Sequence, residues 1–162
     1  MSMNPRIDAQ VEREILALNT RYAHCLDDER LEEWPQLFTE DCRYLIHPRE
    51  NLKAGLEGYW LYFDSNAMLR DRVVSLREAN LYNIHQNRHL VSNVVVEGEE
   101  DGAWRCRASY LVVQTDVDGN ARVFSVGEYR DLVVLTTDGP RFKERVVVPD
   151  SYNVQGMIAF PL

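Results

Sequence analysis

The sequence predicts an α+β fold in which N-terminal helices pack in a strongly curved antiparallel sheet. Three observations carry this reading. Val11, Ile15, Leu18, Tyr22 and Cys25 recur at i, i+4, i+7, i+11 and i+14, while Glu12, Arg13, Glu14 and Arg21 mostly fall off that stripe, the pattern of an amphipathic helix. Between residues 26 and 46 the helical period then gives way to apolar–polar alternation, the signature of a strand. From His89 to Val148 the chain runs in long alternating segments separated by turn residues, which reads as an antiparallel meander. Strands that exceed the usual ~5–6 residues must twist and bend. Such a sheet curls, and helices can fill its concave side.

Helix one has two candidate caps, Asn4-Pro5 and Asp8. Leu31, Trp34, Leu37 and Phe38 place a short amphipathic helix at 31–38, and Thr39-Glu40-Asp41 ends it. A first strand follows at 42–47. Pro48-Arg49-Glu50-Asn51 reads as a loop. Tyr59, Phe63 and Ala67, spaced by four with Leu56 and Trp60 beside them, predict a second long helix from about 56 to 70. Residues 75–88 carry no clean period and read as an extended loop with at most a helical turn. Strands are expected at 89–97, 104–115, 121–135 and 141–148. The turns between them are Glu99-Glu100-Asp101-Gly102, Asp116-Val117-Asp118-Gly119-Asn120 and Thr137-Asp138-Gly139-Pro140. Gly127, inside a strand, suggests a bulge or sharp bend. With no repeat, linker or low-complexity stretch, residues 1–162 read as a single domain.

The composition, 45% hydrophobic and 27% charged, supports a packed core rather than disorder. A net charge of -8 argues against nucleic acid or an anionic membrane as partner. No segment approaches the ~20 apolar residues of a membrane span. The opening Met1-Ser2-Met3-Asn4-Pro5-Arg6 lacks the apolar run of a signal peptide, so a cytoplasmic chain is expected. The three cysteines, Cys25, Cys42 and Cys106, form no Cys-x-x-Cys or Cys-x-His pair. They read as reduced core thiols rather than zinc or iron–sulfur ligands.

Four histidines occur, at 24, 47, 85 and 89. His85 and His89 have a metal-like interval, but they bracket a loop-to-strand junction, which favours a structural or interface role. A curved sheet closed by helices can leave a pocket. Helix one and the turn after it offer Tyr22, Asp27 and Asp28; strands offer Tyr44 and His89. Tyr, Asp and His together could abstract a proton beside a carbonyl or drive a dehydration. In the structural alternative Tyr22 packs, an aspartate caps the short helix, and His89 bonds to backbone. The tail Met157-Ile158-Ala159-Phe160-Pro161-Leu162 is apolar and is expected to dock, on its own sheet or on another chain. Arg70, Arg72 and Arg77 are fork-shaped donors suited to an interface; a solvated loop is the alternative.

Several of these residues resemble the small (β) subunits of Rieske-type aromatic-ring-hydroxylating oxygenases. They are Asp27-Asp28, the run Trp34-Pro35-Gln36-Leu37-Phe38-Thr39-Glu40-Asp41-Cys42-Arg43-Tyr44, Met68-Leu69-Arg70-Asp71-Arg72, Leu76-Arg77-Glu78-Ala79-Asn80, Arg88-His89, Gly127-Glu128-Tyr129 and Ala159-Phe160-Pro161-Leu162. The likeness covers nearly the whole chain and is greatest to the branch acting on aromatic acids, of the terephthalate and salicylate type. Phe-Thr-Glu-Asp also occurs across the wider cystatin-like superfamily, with ketosteroid isomerase and scytalone dehydratase. The resemblance implies a cystatin-like cone and assembly with a large (α) subunit, usually as an α3β3 hexamer. It implies that the Rieske [2Fe–2S] cluster and mononuclear iron belong to that partner, and that this chain holds no cofactor, no metal and no catalytic residue. Subunit contacts are expected at Arg70, Arg72, Arg77, Glu78, Tyr82, Arg88 and Phe160. A competing reading is a stand-alone isomerase or dehydratase using Tyr22, Asp27 and His89.

Overall fold

The computed structural model describes residues 7–79, 84–151, 153 and 158–162. Helix α1 spans Ala9–Asp27, and its cap is Asp8, whose carboxylate accepts from Gln10 N at 2.9 Å; the rival Asn4-Pro5 lies outside the described residues. A 3₁₀ helix at Leu31–Leu37 follows, then strand β1 at Phe38–Ile46. Helix α2 covers Arg49–Ala54, strand β2 Leu61–Phe63 and helix α3 Asn66–Ala79. Four long strands follow: β3 His85–Glu100, β4 Ala103–Asp116, β5 Ala121–Thr136 and β6 Gly139–Pro149.

All six strands lie in one sheet, in the order β2-β1-β6-β5-β4-β3. The meander β3 to β6 is antiparallel, as the sequence predicts. The sheet is nevertheless mixed, because β1 pairs with β6 in parallel, Tyr44 opposite Arg145 and Ile46 opposite Val147. These strands come from distant parts of the chain, so no local turn fixes their relative direction. Helix α1 lies in the concavity with Ile15, Leu18 and Tyr22 fully buried. Trp34 of the 3₁₀ helix plugs one end of the cone, edge-on to Phe38 at 5.8 Å and Tyr44 at 5.3 Å.

Three expectations need correction. Pro48-Arg49-Glu50-Asn51, expected as a loop, instead caps and opens helix α2. The helix expected at 56–70 does not form. Gly55, at φ 65°, closes α2; Trp60 N donates to Ile46 O at 2.8 Å, and Leu61, Tyr62 and Phe63 pair with β1. The four-residue spacing of Tyr59, Phe63 and Ala67 mimicked a helix, while this aromatic run prefers a sheet edge. The loop expected at 75–88 begins within α3, which runs to Ala79, and its end belongs to β3, which starts at His85; residues 80–83 lie outside the described residues. Leu69, Val73 and Leu76 are the buried stripe of α3, an i, i+4, i+7 pattern split by reading from residue 75. Tyr82 lies outside the described residues.

At Gly127 the finding is a close approach rather than a bulge. A Cβ there would sit 2.1 Å from the Val148 carbonyl oxygen on β6. The register slip in β5 falls a few residues earlier: Val112 faces Ser125 and Val113 faces Val123, leaving Phe124 as the extra residue.

Candidate functional site

The mouth of the cone is organised by the last turn of α1. Asp27 ends the helix with its side chain buried. Its carboxylate accepts from His89 N at 3.0 Å through both oxygens, and from His89 Nδ1 at 2.6 Å. Arg88 Nη1 stands 3.7 Å away. One aspartate therefore ties the end of α1 to β3 through main chain and ring at once. With Nδ1 donating, the imidazole is fixed in orientation; its Nε2 is buried without a partner among the described residues. A shallow groove lined by Ala23, His24, Arg88 and Leu90 runs beside the pair.

Deeper in, the three tyrosines Tyr22, Tyr44 and Tyr129 are fully buried. Burial pushes all three phenols above their ordinary range, because the phenolate would lose its hydration. All three are therefore neutral phenols; Tyr22 and Tyr44 use their hydroxyls as hydrogen-bonding groups. The Tyr22 hydroxyl donates to the Leu162 main-chain oxygen at 2.6 Å. Leu162 N donates to the Tyr44 hydroxyl at 2.9 Å, and that hydroxyl reaches the Leu162 oxygen at 3.1 Å. The apolar tail thus docks on its own chain. On α3, Arg72 fastens it from the side, donating to Ile158 O at 3.1 Å and Ala159 O at 2.6 Å. Phe160 packs edge-on to His85 at 5.2 Å.

Behind the tyrosines lies a buried ion pair that the sequence reading missed. Arg145 of β6 faces Asp131 of β5 in register, with Nε–Oδ1 at 2.9 Å and Nη2–Oδ2 at 2.8 Å. Asn19 of α1 accepts from Arg145 Nη2 at 2.5 Å. The guanidinium stacks over Tyr22, Tyr129 and Phe142, 4.2, 3.9 and 4.0 Å from their ring centres. The available signal was polar residues at inward positions of strands that otherwise alternate cleanly.

The remaining expected residues scatter over the surface. Arg70 pairs with Glu40 at 2.6 Å. Arg77 makes a bidentate pair with Glu32, 2.8 and 2.9 Å, and donates to Glu29 O at 2.7 Å. Glu78 and Arg88 are exposed. Asp28 pairs with Arg30 at 3.4 Å on the surface and does not join Tyr22 and His89. Among the described residues, no three His, Cys, Asp or Glu side chains converge to hold a metal ion, so the donor set suits neither an iron–sulfur cluster nor a mononuclear iron. No helix among them is long and apolar enough to cross a membrane.

A helix-lined cone of this kind, with its interior filled by rings and a paired charge, is an α+β domain of the SnoaL-like type. The SnoaL-like domain model matches residues 8–146. The anthranilate 1,2-dioxygenase small subunit of Burkholderia cepacia is 44% identical over 149 residues, 92% of each chain. The terephthalate 1,2-dioxygenase terminal oxygenase subunit beta 2 of Comamonas sp is 35% identical over 93% of this chain and 98% of its own. A crystal structure assigned as the β subunit of an aromatic-ring-hydroxylating dioxygenase from Novosphingobium aromaticivorans superposes with a TM-score of 0.86 at 41% identity, covering 95% of this chain and 99% of that one. The chain belongs to the SnoaL-like family and, within it, to the small subunits of aromatic-ring-hydroxylating dioxygenases.

Proposed function

We propose that this chain is the non-catalytic small subunit of an oxygenase that hydroxylates an aromatic acid, assembling with a large subunit as an α3β3 hexamer. The observation that carries the reading is how the one acid/base candidate is used. Asp27 spends its carboxylate on His89 main chain and ring, and the space before Tyr22 holds Leu162. A general base must reach a substrate proton directly or through one water; the Asp27 carboxylate is instead engaged in three hydrogen bonds to His89. The relatives' names supply the reaction: anthranilate and terephthalate are both aromatic acids. The Rieske cluster and mononuclear iron belong to the large subunit in this reading, and the complex works in the cytoplasm. Arg70, Arg72, Arg77, Glu78, Tyr82, Arg88 and Phe160 mark the contact surface. Arg70 and Arg77 are already oriented by carboxylates on their own chain, which lowers the entropy lost when a partner orders them.

Turnover by the assembled enzyme tests the reading. Asp27→Asn and His89→Ala are expected to leave hydroxylation within a few-fold when assembly is matched. General acid–base catalysis contributes ~10²–10⁴-fold, and a loss of that size with the complex intact would contradict a scaffold role.

A further inference from the structure

The outer face of the sheet carries two apolar patches, at opposite ends of its strand order. On the β3–β5 side, Leu90, Leu111 and Val126 stand directly opposite one another across three strands, with the pair Val113 and Val123 beside them. Their chain neighbours His89, Val112 and Gly127 are buried, so this set points outward. Leu90, Val123 and Val126 are 49, 56 and 43% exposed. On the β2 side, Tyr62 pairs with Leu45 of β1 and its ring lies 5.3 Å from Tyr59. Leu56, Tyr59 and Tyr62 are 59, 36 and 43% exposed. Single apolar side chains at a surface are ordinary, but contiguous sets mark contacts.

The charges beside the two patches are opposite. Arg88 stands on the β3–β5 face in the row of Val113, its side chain 60% exposed and 3.7 Å from Asp27. At the opposite corner, the Glu128 carboxylate is already held by Arg130 at 2.6 Å and Arg49 at 3.6 Å. Around the tyrosines, Glu57 and Asp64 are exposed and have no ionic partner among the described residues. Glu50 and Lys53 of α2, also exposed, offset each other. One patch is therefore basic at its rim and the other acidic. In a chain of net charge -8, self-association needs such a pairing to overcome repulsion.

We propose that the two patches form a head-to-tail contact between copies of this chain, with Leu56, Tyr59 and Tyr62 of one copy packed on the β3–β5 outer face of the next. Glu57 and Asp64 then approach the Arg88 of that neighbour. A contact between two different patches closes into a ring when the rotation between copies allows it. The size of the ring, three, rests on the hexamer reading above, and α3 is left to the large subunit.

Sedimentation of the small subunit alone tests the contact, and the parent chain is expected to form a trimer. Leu90→Asp with Val126→Asp disables one patch, and Tyr59→Ser with Tyr62→Ser disables the other. Each double variant should weaken association about 30-fold or more, as loss of a central anchor does. Mixed in equal amounts, the two variants should form a heterodimer and go no further, because each supplies the patch that the other lacks. Arg88→Glu should weaken the trimer about 2- to 5-fold, the worth of an exposed ion pair. Circular dichroism checks folding, and Val123→Asp and Leu56→Asp replace a double variant that does not fold. A monomeric parent, a folded variant that associates as the parent does, or a mixture that stays monomeric overturns the proposal. Failure of the scaffold reading shows elsewhere, as lost hydroxylation in Asp27→Asn or His89→Ala with the small-subunit trimer unchanged.

Discussion

Two sets of arginines divide this molecule. Arg145 is wholly buried, bidentate to Asp131, bonded to Asn19 and stacked between three rings. Arg70 and Arg77 stand on the exposed face of α3 and pair with Glu40 and Glu32 in solvent. The chemistry of the pairs is the same and their surroundings are opposite. Inside, both charges have lost water and depend wholly on one another. Outside, each charge keeps most of its hydration, and the pair contributes about 0–1 kcal/mol. The difference teaches where to look for each property. The interior pair holds α1, β5 and β6 in one arrangement. The exterior pairs do little for folding and are free to serve a partner.

The largest effect is expected inside. Asp131→Asn leaves the Arg145 charge buried against a neutral amide, and breaking such a pair costs about 3–5 kcal/mol. Urea unfolding of the isolated chain should show that loss as a lower midpoint. A change below about 1 kcal/mol, the size expected of an exposed pair, would erase the contrast.

A second, graded effect comes from the thiols that line the same interior. Burial pushes Cys25 and Cys106 up to about 12 and Cys42 up to about 11, against an ordinary value of 9.0. The unfolded chain releases these protons first. Their contribution to stability is therefore complete below about pH 9 and is lost as the pH rises toward 11 and 12. The slope is at most about 1.4 kcal/mol per pH unit for each thiol. Unfolding free energies at pH 8 and pH 10 should differ in that direction, and Cys25→Ala with Cys106→Ala should flatten the dependence.

What the sequence revealed follows the same division. The stripe on α1 and the alternation of β3 to β6 were legible because each is a local period matched to one buried face. The hairpin at Asp116 was legible too, because its carboxylate accepts from Asp118 N and Asn120 N at 3.0 and 2.9 Å, within the turn itself. Tyr22, Asp27 and His89 were singled out correctly as neighbours in one region, Asp27 bonding His89 and the Tyr22 ring lying edge-on to it at 6.5 Å. What they do there was not legible: that Asp27 binds a main-chain N–H depends on where β3 runs. The inward position of Arg145 could be read from the alternation of β6, but its pairing could not, because its partners Asp131 and Asn19 lie 14 and 126 residues away in sequence. The break at Gly55 and the edge strand 61–63 were hidden by a spacing that fits either period.

The smallest effect on folding is expected on α3, and it tests the central claim that this surface exists for a partner. In Arg70→Ala with Arg77→Ala, the unfolding free energy of the isolated small subunit should fall by less than about 1 kcal/mol per pair. Sedimentation of the same variant with the large subunit should show assembly weakened by about 2 kcal/mol or more, the loss typical of a central interface arginine. An unchanged sedimentation profile, with the small subunit folded, would contradict the account.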